Sequence, residues 1–162
     1  MRITFLRHAI AQEVHTDDFS REITPVGRKQ VENISKFCHL NGLIPSMLLA
    51  SPYIRTMQTA EILTNHIVGC PSPTPVEWFR VESNTDETML RLYELSSYSH
   101  DIWLVGHEPN ISLLIEKYIG ARSGTIQIER ASLTRLEVNI HATPKLMWSI
   151  THDLIGRAIE NI

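Results

Sequence analysis

Cysteine is scarce in this chain: Cys38 and Cys70 are the only two in 162 residues. Neither belongs to a CxxC pair, which argues against both a disulfide framework and a zinc site, and two free thiols are expected, with Cys38 on the apolar face of a helix. An excess of one charge is lacking as well. The formal net charge is -3 and the lysines and arginines are scattered, so there is no electrostatic footprint of a nucleic-acid binder. Any cationic pocket must therefore be local. The apolar stretch at the start is too short for a signal peptide or a membrane span, which predicts a cytoplasmic protein without a membrane partner. Internal repeats and low-complexity segments are missing too. What is present is ordinary: 43% hydrophobic and 20% charged residues, at a length that fits one globular domain over residues 1–162.

The apolar runs alternate between short and helical in period. Met1 to Leu6 reads as a first strand that ends at Arg7 and His8. Thr24-Pro25 supplies an N-cap and a first-position proline, and Gly42 a stop, for a helix over Pro25 to Asn41 that buries Val31, Ile34, Phe37 and Cys38. Met47 to Ala50 is wholly apolar, as a buried parallel strand requires. A helix from Tyr53 to Ile67 follows, with Ile54, Met57, Ala60, Leu63 and Ile67 inward. The proline-rich stretch Gly69 to Pro75 reads as an extended connection, with a short strand near Val76 to Phe79 after it. Asn84 and Glu87 form a capping pair for a helix to about Ser96 carrying Met89, Leu92 and Tyr93. Ile102 to Val105 is the clearest buried strand, and Gly106-His107-Glu108-Pro109 leads into a helix that Gly120 closes. Leu136, Val138 and Ile140, then Leu146, Trp148 and Ile150, alternate across a turn containing Pro144 and predict an antiparallel edge hairpin. The fold class is α/β: a three-layer α/β/α arrangement with a mostly parallel sheet.

Three strands thus end in Arg7-His8, in Ser51-Pro52-Tyr53-Ile54-Arg55 and in Gly106-His107. In a parallel sheet those ends share one rim, where helix N-termini, two arginines and two histidines would form an anion site suited to phosphate. Three independent polar clusters at strand ends are the other reading of the same pattern.

Arg7-His8-Ala9, Ser51-Pro52-x-x-Arg55-x-x-x-Thr59-Ala60 and Val105-Gly106-His107 resemble, in order and spacing, the motifs of the histidine phosphatase superfamily, also called phosphoglycerate-mutase-like. Arg21-Glu22-Ile23-Thr24-Pro25-Val26-Gly27 is similar to the Arg-x-Leu-Thr-x-x-Gly stretch of its SixA branch, the phosphohistidine phosphatases. The resemblance implies that His8 is the nucleophile, that Arg7 and Arg55 hold phosphate oxygens, that His107 completes the pocket as a hydrogen-bond donor and that Arg21 is a further phosphate ligand. A neutral imidazole can attack phosphorus in line while fixed cations stabilise the transferring group, and Arg7 beside His8 should disfavour the imidazolium.

Two departures stand out. Ala9 replaces the superfamily's usual glycine, which narrows the backbone conformations open beside the nucleophile. No motif fixes the general acid found in mutases and phosphomonoesterases; Glu77, Glu82, Asp86 and Glu87 are candidates, with Glu82 preferred. A phosphorylated imidazole can leave as neutral imidazole, so a missing acid favours phosphohistidine as substrate. The expected reaction is dephosphorylation of a histidine on a signalling protein through phospho-His8, with inorganic phosphate as product. A small-molecule phosphomonoesterase and a catalytically silent phosphate-binding module are the alternatives. The remaining histidines, His15, His39, His66, His100, His141 and His152, lack ligand spacing, so no metal and no cofactor is expected. Only one helix fits between Phe79 and Ile102, where small-molecule members carry longer insertions, and a shallow, open pocket is expected.

Overall fold

The computed structural model describes residues 1–13, 17–139 and 141–160, so the expectations placed on His15 and Ile140 lie outside the described residues. Six strands, β1 (Arg2–Arg7), β2 (Met47–Ala50), β3 (Thr74–Pro75), β4 (Asp101–Gly106), β5 (Leu133–Asn139) and β6 (Ala142–Ile150), form one sheet in the order β3-β2-β4-β1-β5-β6. β1, β2, β3 and β4 run parallel, while β5 lies antiparallel to β1 and pairs with β6 as the edge hairpin. The described residues also form five helices: α1 (Pro25–Leu40), α2 (Ile54–His66), α3 (Thr85–Leu95), α4 (Asn110–Ile119) and α5 (His152–Glu160).

Side-chain alternation along the strands builds the layers. Leu6, Trp103 and Val105 face α1, α2 and α5 together with Val31, Ile34, Cys38, Leu63 and Ile155. Ile3, Phe5, Ile102 and Leu104 point the other way and pack with Leu92, Ile111, Leu114 and Ile115 of α3 and α4. The result is a sheet covered on both faces, as short apolar parallel strands demand. Thr24 caps α1 by accepting from Gly27 N–H at 3.0 Å, with Pro25 behind it as read. Gly120 closes α4 in the left-handed region at φ 69°.

Several expectations need correction. The strand placed at Val76 to Phe79 is instead Thr74–Pro75, followed by a 3-10 turn over Glu77–Phe79. Val76 N–H still bonds Ala50 O at 2.9 Å, and the chain then winds so that the Phe79 ring lies buried under the sheet. Pro144 lies within β6, where an edge strand tolerates the missing donor, rather than in the turn. Asn84 does cap α3, accepting from Asp86 and Glu87 N–H, but the Glu87 carboxylate is 4.0 Å from Arg91. Tyr93 is exposed. Helix α5 was not anticipated; it buries Ile155 and Ile159 in the α1 and α2 layer.

One buried ionic cluster lies at the start of β4. Asp101 accepts from Arg135 NH2 at 3.0 Å on each oxygen and from Trp103 Nε1 at 3.1 Å, while Arg135 Nε donates to Thr4 Oγ1 at 2.9 Å. Both members of this ion pair are largely buried, and the contacts leave neither charge unpartnered.

Candidate active site

At the other end of the same strands, the backbone brings the three motif segments together. His8 N–H bonds Gly106 O at 3.0 Å and Ser51 N–H bonds Val105 O at 3.0 Å, so the residues leaving β1, β2 and β4 share one rim. From the antiparallel side, Ala131 N–H reaches Arg7 O at 3.0 Å and His8 O at 3.4 Å. Ala131, whose N–H makes both of these bonds, holds φ at 52°, a strained left-handed conformation for alanine. Ala9, by contrast, adopts ordinary negative φ, so alanine replaces glycine there without strain. Its N–H bonds Thr59 Oγ1 at 3.3 Å, a contact that ties the third motif residue to α2.

The two motif glycines are required by contact. A Cβ on Gly27 would lie 2.1 Å from Ile10 O, and one on Gly106 would lie 2.3 Å from the Phe79 ring. The first lets α1 begin against the loop after His8, and the second lets Phe79 pass beneath the strand end.

His8 is only 7% exposed and His107 only 2%. The His8 Nδ1 lies 2.7 Å from Ala9 O, an acceptor, so Nδ1 carries the proton and Nε2 the lone pair. Consistent with that tautomer, Arg55 Nε donates to His8 Nε2 at 3.3 Å. The two imidazoles meet edge to face at 5.2 Å between centroids, and His107 Nε2 is 2.9 Å from Ser51 Oγ. Among the described residues, Arg7 Nε and His107 Nδ1 are buried without a hydrogen-bond partner in the protein. Arg7 is otherwise anchored through NH1 to Ile128 O at 2.7 Å.

Burial pushes the His8 imidazole down to about 3, and Arg55, Arg7 and Arg130 push the same way against the Ala9 hydrogen bond. His107 falls to about 2 for the same first reason, with His8 and Arg55 adding to it. Both rings are neutral at physiological pH. The expected effect of Arg7 on His8 has the right sign, but desolvation is the larger cause. Burial also lowers Arg7 and Arg55, which remain cations because guanidinium starts so high.

Arg55 and Arg21 meet through a residue that the sequence did not single out. Asp18 accepts from Arg55 NH2 at 3.0 Å and from Arg21 NH1 at 2.8 Å, and its backbone carbonyl accepts from Arg55 NH1 at 2.6 Å. Burial pushes the Asp18 carboxyl up, yet the Arg21 and Arg55 contacts outweigh it and leave it below the usual carboxylate range. Ser51, Tyr53, Glu108 and Arg130 were likewise given no role. Tyr53 lies 4.9 Å from the His107 ring and 5.0 Å from Phe19, with the Arg55 guanidinium 4.7 Å over its face. The loop Asp17 to Arg21, in the connection before α1, thus lies against Arg55 through Asp18.

Glu82 is exposed, and its carboxylate accepts from the Tyr53 hydroxyl at 3.2 Å. Glu108, just ahead of α4, accepts from the Ser112 hydroxyl through its carboxylate. Ile54 N–H at the start of α2 is taken by Phe19 O at 3.2 Å. That helix N–H group is therefore occupied, and the rim carries its positive charge on arginine side chains. An apolar groove of about 490 Å³ between Phe37, Leu43, Trp148 and Leu154 is lined by no charged side chain. Among the described residues, no cluster of His, Cys, Asp and Glu is arranged to hold a metal ion, and no helix is long and apolar enough to cross a membrane.

No protein-family model matches the sequence, and no curated protein does. Solved structures do match. The protein histidine phosphatase SixA, in a complex with tungstate, superposes with a TM-score of 0.87 at 14% identity, covering 94% of this chain and 98% of that one. A protein from Agrobacterium tumefaciens described as a phosphohistidine phosphatase SixA gives 0.79 at 22% identity, over 93% and 97%. A mycobacterial glucosyl-3-phosphoglycerate phosphatase with inorganic phosphate gives 0.72 at 14%, over 93% and 98%. The chain has the phosphoglycerate-mutase-like fold of these histidine phosphatases.

Proposed function

We propose that this protein is a phosphatase that works through a phosphohistidine on His8, and that its substrate is a phosphorylated histidine of a cytoplasmic signalling protein. The observation that carries the reading is the state of His8: a buried, neutral imidazole whose Nε2 lone pair faces Arg55 Nε at 3.3 Å. A nucleophile kept neutral and a cation held against it are the two requirements of in-line phosphoryl transfer. The unpartnered donors Arg7 Nε and His107 Nδ1 suit phosphoryl oxygens, because a buried N–H without an acceptor is costly and an oxyanion satisfies it. Ser51 fits this scheme by donating its hydroxyl to His107 Nε2, which leaves Nδ1 protonated as the donor.

In the first step His8 Nε2 forms a bond to phosphorus as the bond to the leaving nitrogen breaks, and the electron pair stays with the departing imidazole. Its remote nitrogen already carries a proton, so a neutral ring leaves. In the second step water attacks phosphorus, the P–Nε2 bond returns its pair to His8, and the water proton leaves with phosphate. Arg7, Arg55 and Arg21 offset charge on the transferring group throughout.

The position of Glu82 supports phosphohistidine over a phosphate ester. An alkoxide needs a proton as it departs, but Glu82 is exposed and engaged by Tyr53, and ester hydrolysis would require it to leave that contact. A small-molecule phosphomonoesterase is the second reading, favoured only by the breadth of substrates among proteins of this fold. Turnover of a phosphohistidine protein, phosphoramidate and simple phosphate monoesters, measured side by side, tests the proposal. Faster hydrolysis of monoesters would overturn the substrate assignment; phosphate binding without turnover of any of them would leave only a binding module.

A further inference from the structure

Arg55 has five N–H bonds, and its side chain is 4% exposed. The NH1 and NH2 edge is gripped twice by one residue, through the Asp18 carbonyl at 2.6 Å and the Asp18 carboxylate at 3.0 Å. A planar fork held at two of its nitrogens has its third fixed, and here that third, Nε, points at His8 Nε2. One N–H on each of NH1 and NH2 remains for phosphoryl oxygens. The grip is itself pre-formed. Asp17 accepts from Phe19 and Ser20 N–H at 3.1 Å each, and Phe19 O accepts from Ile54 N–H at 3.2 Å, so the turn carrying Asp18 is pinned to the start of α2. The same carboxylate takes Arg21 NH1, making it the shared counter-ion of two arginines from two segments.

We propose that Asp18 is the positioning residue of the site, turning the Nε edge of Arg55 toward the nucleophile and holding Arg21 beside it. The inference rests on the phosphatase reading and adds a residue to it. Without the carboxylate, two guanidinium groups lose their common partner and repel one another, and of the two Asp18 contacts Arg55 keeps only the one to the backbone carbonyl. The transition state suffers because the Arg55 edge is no longer held in place, whereas ground-state phosphate binding is spared because the lost charge is negative and lies beside an anion site.

The experiment compares wild type with Asp18→Ala and Asp18→Asn for kcat, KM and binding of inorganic phosphate. Nitrogen NMR of the ligand-free proteins reports the His8 Nε2 environment in parallel. A fall in kcat of about 10- to 100-fold for Asp18→Ala is expected, with a smaller fall for Asp18→Asn, phosphate affinity unchanged or tighter, and a displaced His8 Nε2 resonance in both. An unchanged or raised kcat in folded Asp18→Ala would overturn the proposal, because the carboxylate would then be a bystander or a competitor of phosphate. Should Asp18→Ala fail to fold, the Asp18→Asn comparison decides, and an unmoved His8 resonance with wild-type kcat overturns the proposal. Should wild type turn over none of the substrates, the phosphatase reading fails by itself, while the His8 resonance still shows whether Asp18 sets Arg55 against it.

Discussion

Acid should unfold this protein partly through His8, and the contribution can be isolated by difference. In the folded chain His8 sits at about 3, against about 6.5 for an exposed imidazole. Between those values the unfolded state binds a proton that the folded state refuses. The stability His8 contributes is therefore complete above the unfolded value and is lost as pH falls toward the folded one. Between about pH 7.5 and about pH 5 the loss is RT ln(1 + 10^1.5), about 2 kcal/mol, because folded His8 is still almost wholly neutral at the lower value. That is a sizeable part of the roughly 5–15 kcal/mol available to a domain of this size. Other groups titrate as well: the Asp18 carboxyl is lowered and the Glu108 carboxyl is raised by burial, so the total pH profile mixes signs. The comparison of wild type with His8→Gln removes those shared terms. Urea unfolding at the two pH values should show wild type losing about 2 kcal/mol more than His8→Gln, a difference in midpoint of about 1 M. Equal losses would mean that His8 titrates as a solvated imidazole in the folded protein, and the neutral, desolvated nucleophile would have to be given up.

Replacing His8 with alanine should abolish turnover while leaving the fold intact, and brief exposure of wild type to phosphorylated substrate should leave an acid-labile, alkali-stable label that His8→Ala lacks; label persisting in the variant would place the nucleophile elsewhere. Gly27→Ala should destabilise by about 1–3 kcal/mol or more, since its Cβ would lie 2.1 Å from Ile10 O, and a melting temperature within a degree of wild type would contradict the close approach. Asp101→Ala should cost about 3–5 kcal/mol by stranding buried Arg135, with kcat of the folded fraction unchanged; denaturant unfolding and initial rates report the two separately.

Strands β1, β2 and β4 were legible because they are short, mainly apolar and end abruptly in polar motif residues. Connectivity left Arg7, His8, Ser51, Arg55 and His107 either on one rim or in three separate clusters, and the motif resemblance favoured the rim. What stayed hidden was set by contacts distant in sequence. Asp18 looked like one more acid in a polar loop, since nothing local shows that its partner is Arg55 on another element. Gly106 reads as a motif residue, but the ring that forbids a side chain there belongs to Phe79. The same ring explains the misplaced strand: Val76 to Phe79 is apolar enough for β structure, and burying Phe79 beneath the sheet turns the chain into a 3-10 coil instead. Helix α5 could have been read, since Ile155 and Ile159 are four apart and Thr151 precedes them with its side chain 3.5 Å from Leu154 N–H.

Strands β1 and β4 stay in parallel register from Arg2 opposite Asp101 to Arg7 opposite Gly106. Five residue steps at about 3.3 Å separate the Asp101–Arg135 pair from the His8 cluster, roughly 16 Å along the strands. Groups more than about 7–10 Å apart with no shared partner perturb each other little. The apolar length of β1 therefore works as an electrical spacer between two buried polar centres, the Asp101–Arg135 pair and the proposed active site. Mutations at the two ends should add in free energy, leaving the residues of the rim free to diverge without disturbing the charge pair that anchors the far end of the sheet.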